Sequence, residues 1–263
     1  MQLTFLGTCS GTEPMPDRKH TSFVIEHNNG VYWFDAGEGC SHTAHLLGID
    51  ILAIRALFIS HTHLDHVGGL VNLLGTMRKL NGRNKDPLRS LTGKTIPAFI
   101  PNLNIWNGAL TVLTGPAKTL NLEFNLDAQT YADGLIFADG HIKVTALHNR
   151  HLGEPEPGDP WLSFSFCIET STKRLVSSGD VKHASEVVPL IGNGCDLFLM
   201  ETGHHQVEDI CTYLMEADVP FGRLGFFHHG RAILANPQEE CAKARAIIGD
   251  RVFIADDKMV VTL

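Results

Sequence analysis

The sequence predicts one α/β domain with two sheets and helices on the outside. Three observations carry this expectation. Short β-rich runs alternate with helix-patterned stretches along the whole chain. Some strand candidates are continuous apolar runs, the pattern of strands covered on both faces. No low-complexity linker divides the 263 residues, so 1–263 read as a single domain. A composition of 43% hydrophobic and 19% charged residues excludes disorder, collagen and coiled coil as the main state.

Taken in order, Gln2 to Gly7 reads as a strand. Ser22 to Glu26 and Val31 to Phe34 flank Asn28-Asn29-Gly30, a hairpin signal. Cys40 to Leu47 reads as a short helix closed by Gly48. Ala56 to Ile59 is an apolar run expected to be a buried strand, and Leu70, Leu73, Leu74, Met77 and Leu80 recur at helical spacing. Ile96 to Ile100 follows as a strand. Between them lies a polar stretch, Asn81 to Lys94; with Arg78 and Lys79 it forms the one notable basic cluster, expected to be either a solvated loop or a phosphate contact. The second half predicts strands at Ile142 to Ala146, Ser163 to Glu169, Arg174 to Ser177, Leu197 to Met200, Leu224 to Phe227 and Val252 to Ala255. Helices are expected at Ser185 to Ile191, Val207 to Met215 and Pro237 to Ile248. The proline-rich acidic segment from Glu154 to Pro160 can be neither helix nor strand interior.

The six cysteines are widely spaced with no CxxC pair, which reads as six reduced thiols in a cytoplasmic protein. The N-terminal residues lack the pattern of a signal peptide, and no apolar run approaches the roughly 18 residues of a membrane span. A net charge of −8 gives no general attraction to phosphate backbones.

Histidine is the unusual entry, with 15 copies. The densest segment is Ser60-His61-Thr62-His63-Leu64-Asp65-His66, directly after a buried strand, where α/β folds place their sites. In extended backbone, positions two apart point the same way, so His61 and His63 converge on one point. Asp65 and His66 come as the chain turns into the next helix, aimed at a second point. Four such ligands in six residues suit a pair of divalent ions, zinc first, with manganese or iron as alternatives. Other ligands must come from elsewhere. Three polar segments that each follow an apolar strand are candidates: His148-Asn149-Arg150-His151, Ser178-Gly179-Asp180 and His228-His229-Gly230.

This constellation resembles the metallo-β-lactamase superfamily, and within it the branch of the tRNA 3′-processing endonuclease RNase Z and its phosphodiesterase relatives. Phe5-Leu6-Gly7-Thr8, with Pro14 and Arg18, is similar to the first hairpin of that branch. Phe34-Asp35-Ala36-Gly37-Glu38-Gly39 resembles its acidic second motif, and Gly68-Gly69-Leu70 with Leu73-Leu74 its helix after the metal motif. The resemblance implies the four-layer αββα sandwich. It implies a first metal held by His61, His63 and His151, with His151 preferred over His148, and a second held by Asp65, His66 and His228, with His228 preferred over His229. Asp180 would bridge the two, and Asp35 would be a buried structural carboxylate. The implied chemistry is hydrolysis by a metal-bridged hydroxide attacking phosphorus, with Asp65 also an orienting base. Glu201-Thr202-Gly203-His204-His205 offers a general acid, with Glu201 and either His204 or His205 as catalytic candidates.

Two departures narrow the expected substrate. Only 29 positions separate His151 from Asp180, where RNase Z enzymes commonly carry a long tRNA-gripping arm, and the acidic segment lies within them. The expectation is a phosphodiesterase acting on a small, nucleotide-like phosphodiester, with no nucleic-acid or membrane partner. An RNase Z-type tRNA endonuclease is one alternative and a metal-binding protein without hydrolase activity the other. Relatives in the branch are often dimers, so a homodimer is implied by analogy alone.

Overall fold

The computed structural model describes residues 1–115 and 121–263. The first sheet holds β1 (Gln2–Gly7), β2 (Ser22–His27), β3 (Gly30–Phe34), β4 (Ile54–Phe58), β5 (Thr95–Phe99) and β6 (Asn125–Gln129), in that spatial order. The second holds β7 (Gly134–Ala138), β8 (Lys143–His148), β9 (Phe164–Glu169), β10 (Arg174–Ser177), β11 (Cys195–Thr202), β12 (Phe221–His229) and β13 (Val252–Ile254), also in order. The last strand, β14 (Val260–Thr262), returns to pair with β1. Each sheet has three antiparallel pairings followed by three parallel ones, so the two share one topology.

Three apolar layers make this a four-layer αββα sandwich. Between the sheets pack Phe5, Phe34, Phe58, Phe166, Leu199 and their neighbours. The outer face of the first sheet is covered by α1 (Cys40–Leu46), α3 (Leu70–Arg83) and α4 (Leu103–Thr114), through residues such as Leu73, Met77 and Trp106. The outer face of the second is covered by α5 (Val188–Ile191), α6 (Val207–Glu216) and α8 (Pro237–Ile248), through Ile210, Leu214 and Ala244. Two short helices, α2 (Leu64–Val67) and α7 (Arg231–Ala235), directly follow histidine-bearing segments. One row crosses β2, β3, β4 and β5: Phe23, Phe34, Phe58 and Phe99 are paired in register, with stacked rings 4.9, 4.8 and 5.2 Å apart.

Several elements lie outside the sequence expectation: α4, β6, β7 and β14. In β6, Asn125-Leu126-Asp127-Ala128-Gln129 is a weakly apolar edge strand that buries little, so its pattern carries little signal. The helix expected over Ser185 to Ile191 is a 3₁₀ turn at Ala184–Val187 followed by the single turn of α5; Pro189 sits at its start, where a missing N–H costs nothing.

All six cysteines are unpaired, and five are buried, Cys241 being half-exposed. Burial pushes the thiols of Cys40, Cys195 and Cys211 up to about 12. A thiolate is the reactive form, so titration of the native protein with a thiol reagent at pH 8 is expected to find one reactive group, and six after unfolding. Three or more in the native state would contradict this packing.

Candidate metal centre

Strand order delivers the polar segments to one edge. The segments after β3, β4, β8, β10 and β11 carry Asp35, His61 to His66 (Asp65 and His66 in the first turn of α2), His151, Asp180 and His204 respectively, while β11 itself ends on Glu201 and Thr202 and β12 on His228 and His229. Among the described residues three donor groups result: two share Asp180, and a third, Glu201, His204 and His228, shares His228 with the second. His61, His63, His151 and Asp180 form the first; Asp65, His66, His228 and, again, Asp180 form the second.

In the first group, His63 Nδ1 lies 3.1 Å from both His61 Nε2 and His151 Nε2. Asp180 Oδ2 lies 3.8 Å from His61 Nε2 and 3.7 Å from His151 Nε2. Nitrogens bound tetrahedrally about 2.0–2.1 Å from one zinc ion stand about 3.3 Å apart, so these spacings suit a shared ion. Burial drives His61 well below its ordinary range, and the surrounding imidazoles add to the effect. Burial likewise brings His151 down to about 4 against the pull of Asp180. Both imidazoles are therefore neutral at pH 7, as metal ligands must be.

The second group is balanced differently. His228 Nε2 is 3.0 Å from Asp65 Oδ2 and 3.2 Å from Asp180 Oδ2, and His66 Nε2 is 3.3 Å from Asp180 Oδ1. Burial opposes charge on both imidazoles, but the carboxylates win. Asp180 and Asp35 hold His66 well above its usual range. Asp180, Asp65 and Glu201 hold His228 up to about 10. Conversely, burial would raise Asp65, yet its hydrogen bond with His228 keeps it well below the carboxylate range. This pairing of buried acids with protonated imidazoles supplies the positive charge that a divalent ion would bring. Three buried atoms here, His66 Nε2, Asp180 Oδ1 and His228 Nδ1, make no hydrogen bond among the described residues. Buried polar atoms are rarely left so, and the donor set, imidazole with carboxylate, fits zinc, manganese or iron.

Local backbone explains how these side chains arrive. Asp35, with φ at 52°, accepts hydrogen bonds from the Ser60 amide and hydroxyl, and His66 Nδ1 donates to it at 2.9 Å. That contact assigns the Nδ1 proton and frees His66 Nε2 for the donor group. His228 is the extra residue of a bulge: Glu201 pairs with Phe227 and Thr202 with His229. Its φ of 50°, costing about 1–3 kcal/mol in a non-glycine residue, turns its ring towards Asp65 and Asp180. His229 points elsewhere: its ring nitrogens face the Thr202 hydroxyl and the Ala255 carbonyl, and burial brings it down to about 3. His148 is likewise outside both groups, paired with Asp133 at 2.7 Å and stacked on Trp161.

The family model described as anti-Pycsar protein Apyc1 matches residues 1–216. The chain belongs to that family. Ribonuclease Z of Bacillus subtilis (strain 168) is 36% identical to this Apyc1-family chain over 154 residues, 57% of the chain and 46% of that protein. Ribonuclease BN of Erwinia tasmaniensis is 32% identical over a similar span, so the chain matches about half the length of these curated relatives. Human tRNase Z, short form, shares the fold with a TM-score of 0.71 at 19% identity, covering 100% of this chain and 99% of that one. The metallo-β-lactamase fold protein YhfI of Bacillus subtilis does so with 0.73 at 16% identity, covering 99% of each. The chain thus shares sequence with ribonucleases Z and BN over about half their length, and its fold with these solved structures, one of them a metallo-β-lactamase fold protein.

In this Apyc1-family chain a cavity of about 500 Å³ opens over the donor groups, lined by His63, Asp65, Asp180, His204 and His228. Its opposite wall was not read from the sequence: Ser10, Gly11, Thr12 and His20 come from the loop between β1 and β2. Only the position of His20 close to the first hairpin motif hinted at this. A Cβ on Gly11 would lie 3.2 Å from the Asp65 carboxylate, so glycine keeps that wall clear. Glu201 is fully buried and does not reach the cavity. It accepts from the His204 amide at 3.0 Å and pairs with His204 Nδ1 at 2.9 Å, which raises the His204 imidazole. The His204 ring is half-exposed, whereas His205 Nε2 turns back to the Val181 carbonyl.

Proposed function

We propose that this chain is a dinuclear metal-dependent hydrolase acting on a small, nucleotide-like phosphodiester. The observation that carries the reading is the pair of donor groups sharing Asp180 beneath an open cavity; structural metal sites are closed, whereas catalytic ones keep an accessible position. His61, His63 and His151 would hold one ion, Asp65, His66 and His228 the other, with Asp180 common to both. When bound, such ions supply a water acidified to near-neutral pKa and positive charge beside the phosphoryl group. Asp65 borders the cavity and is placed to orient the attacking water. His204, with Nδ1 fixed on Glu201, turns its other edge to the cavity and is placed to protonate the leaving oxygen, so Glu201 acts through it as a positioning residue. His205 is left without a catalytic task. The cavity volume and the net charge of −8 support a small substrate over a nucleic acid.

Metal analysis together with hydrolysis of bis-p-nitrophenyl phosphate tests the reading: two ions per chain and turnover are expected, and two ions without turnover of any phosphodiester would leave a metal-binding protein. The 36% identity to a ribonuclease Z keeps the tRNA endonuclease reading as the second choice. Efficient, salt-sensitive cleavage of a precursor tRNA 3′ trailer would favour it.

A general acid matters in proportion to how poor the leaving group is. His204→Ala is therefore expected to lower turnover of bis-p-nitrophenyl phosphate by less than about tenfold, and of an alkyl phosphodiester by about 10²–10⁴-fold. Equal losses on both substrates would remove the acid role.

A further inference from the structure

Charge in this chain is segregated. Residues 66–122 hold seven lysines and arginines against one carboxylate, Asp86, so the segment is net +6 in a chain of −8. The helices over the first sheet, α1, α3 and α4, contain no Asp or Glu, whereas α6 over the second contains Glu208, Asp209 and Glu216. A cavity of about 620 Å³ lies among α1, α3 and α4 and is bordered by Arg78, Lys79, Arg83, His42, His45 and Val112. It is separate from the candidate metal centre, and none of its borders is a residue used there.

Most arginines outside this groove are engaged: Arg55 with Asp139, Arg89 with Asp50, Arg150 with Glu154 and Arg231 with Glu13. Among the described residues Arg78, Lys79 and Arg83 have no carboxylate partner, and residues 116–120 contain none to offer. Arg78 Nε is moreover buried and has no hydrogen-bond partner among the described residues, although a buried guanidinium N–H is normally satisfied. Lys79 and Arg83 are four apart on one helical face, about 5–6 Å between their Cβ atoms, which lets them engage different groups of one anion. Gly75, one turn before Arg78 and Lys79, leaves the floor open: a Cβ there would meet only Leu113, at 3.6 Å. Apolar side chains border the same cavity, Leu80 of α3 itself and Val112 and Leu113 of α4. A concave pocket of this size with a few convergent charges and an apolar wall is the usual form of a small-molecule site, not of a contact with a flat lipid surface.

We propose that this groove is a second ligand site that binds the triphosphate chain of a small anion, either inorganic tripolyphosphate or a nucleoside triphosphate. Arg78, Lys79 and Arg83 contact the phosphoryl oxygens, and the Leu80–Val112–Leu113 wall accepts a nucleoside where one is present.

Titration calorimetry of the metal-loaded protein at about 50 mM salt, with tripolyphosphate, ATP and adenosine, tests this. Binding of both triphosphates with a Kd of about 10–100 μM is expected, and none of adenosine. Lys79→Glu with Arg83→Glu, both exposed, should weaken binding at least tenfold and leave hydrolysis of bis-p-nitrophenyl phosphate unchanged. Tighter binding of ATP than of tripolyphosphate assigns the apolar wall a nucleoside; equal affinity assigns the site to the phosphate chain alone. Absence of binding up to 1 mM overturns the proposal. So does affinity that survives the double charge reversal but is lost on Asp180→Asn, because the anion then sits on the metal centre. The readout is heat of binding, so it stands or falls independently of the hydrolase reading.

Discussion

Asp180→Asn is expected to empty both donor groups and to lower phosphodiester turnover by at least about 1,000-fold, or ~4 kcal/mol of transition-state stabilisation. Asp180 is 2% exposed and faces both groups: Oδ2 lies within 3.8 Å of His61, His151 and His228, and Oδ1 lies 3.3 Å from His66. No other carboxylate belongs to both. Burial alone would raise its pKa, but His228 and His66 hold it low, so an ionised oxygen is available to each ion at neutral pH. The amide replacement keeps the volume and removes the charge. Elemental analysis and steady-state kinetics on bis-p-nitrophenyl phosphate check the outcome. His151→Ala is the comparison: it belongs to the first group alone and should remove one ion and leave the other. Two ions and activity within tenfold of the parent in Asp180→Asn would refute the shared role.

Phe58→Ala is expected to cost about 3–5 kcal/mol, a large share of the roughly 5–15 kcal/mol that keeps a domain folded. Phe58 is fully buried on β4, stacked between Phe34 at 4.8 Å and Phe99 at 5.2 Å, with edge contacts to Phe137 at 5.5 Å and Phe166 at 6.3 Å. Removing the ring opens a cavity where both sheets meet, and these neighbours cannot close it because each is held in its own strand register. Phe58→Leu, which keeps most of the volume, should lose less than half as much. Urea unfolding monitored by circular dichroism measures both, with a lower midpoint and an unchanged slope expected. A loss under about 1 kcal/mol for the alanine variant would show that the row is not a keystone of the intersheet layer.

Much of this architecture was legible because its signals are local. The run Ala56 to Ile59 announced a strand buried on both faces, and β4 is one. The spacing of Leu70, Leu73, Leu74 and Met77 announced a helix, and all four are buried under α3. By contrast β6 and β7 were not seen, because edge strands expose much of their surface and need no strict pattern. The pairing of Phe23, Phe34, Phe58 and Phe99 was invisible too: it joins residues up to 76 positions apart, and only the register of four strands aligns them.

The candidate centre divides the same way. By itself the sequence determined that His61, His63, Asp65 and His66 lie together at the end of a buried strand, since their spacing is set by the geometry of a few consecutive residues. It also limited the remaining donors to short segments after other strands. It left open which member of each segment turns inward. Tertiary structure decided that: Asp133 and Trp161 hold His148 away while His151 meets His63, and a one-residue bulge at positive φ sends His228 to Asp65 and His229 to Ala255. The same holds for the cavity wall of Ser10, Gly11, Thr12 and His20. Neighbouring side chains on an extended chain differ in direction by half a turn, so one bulge or one partner exchanges their roles, and no rule of local spacing records it.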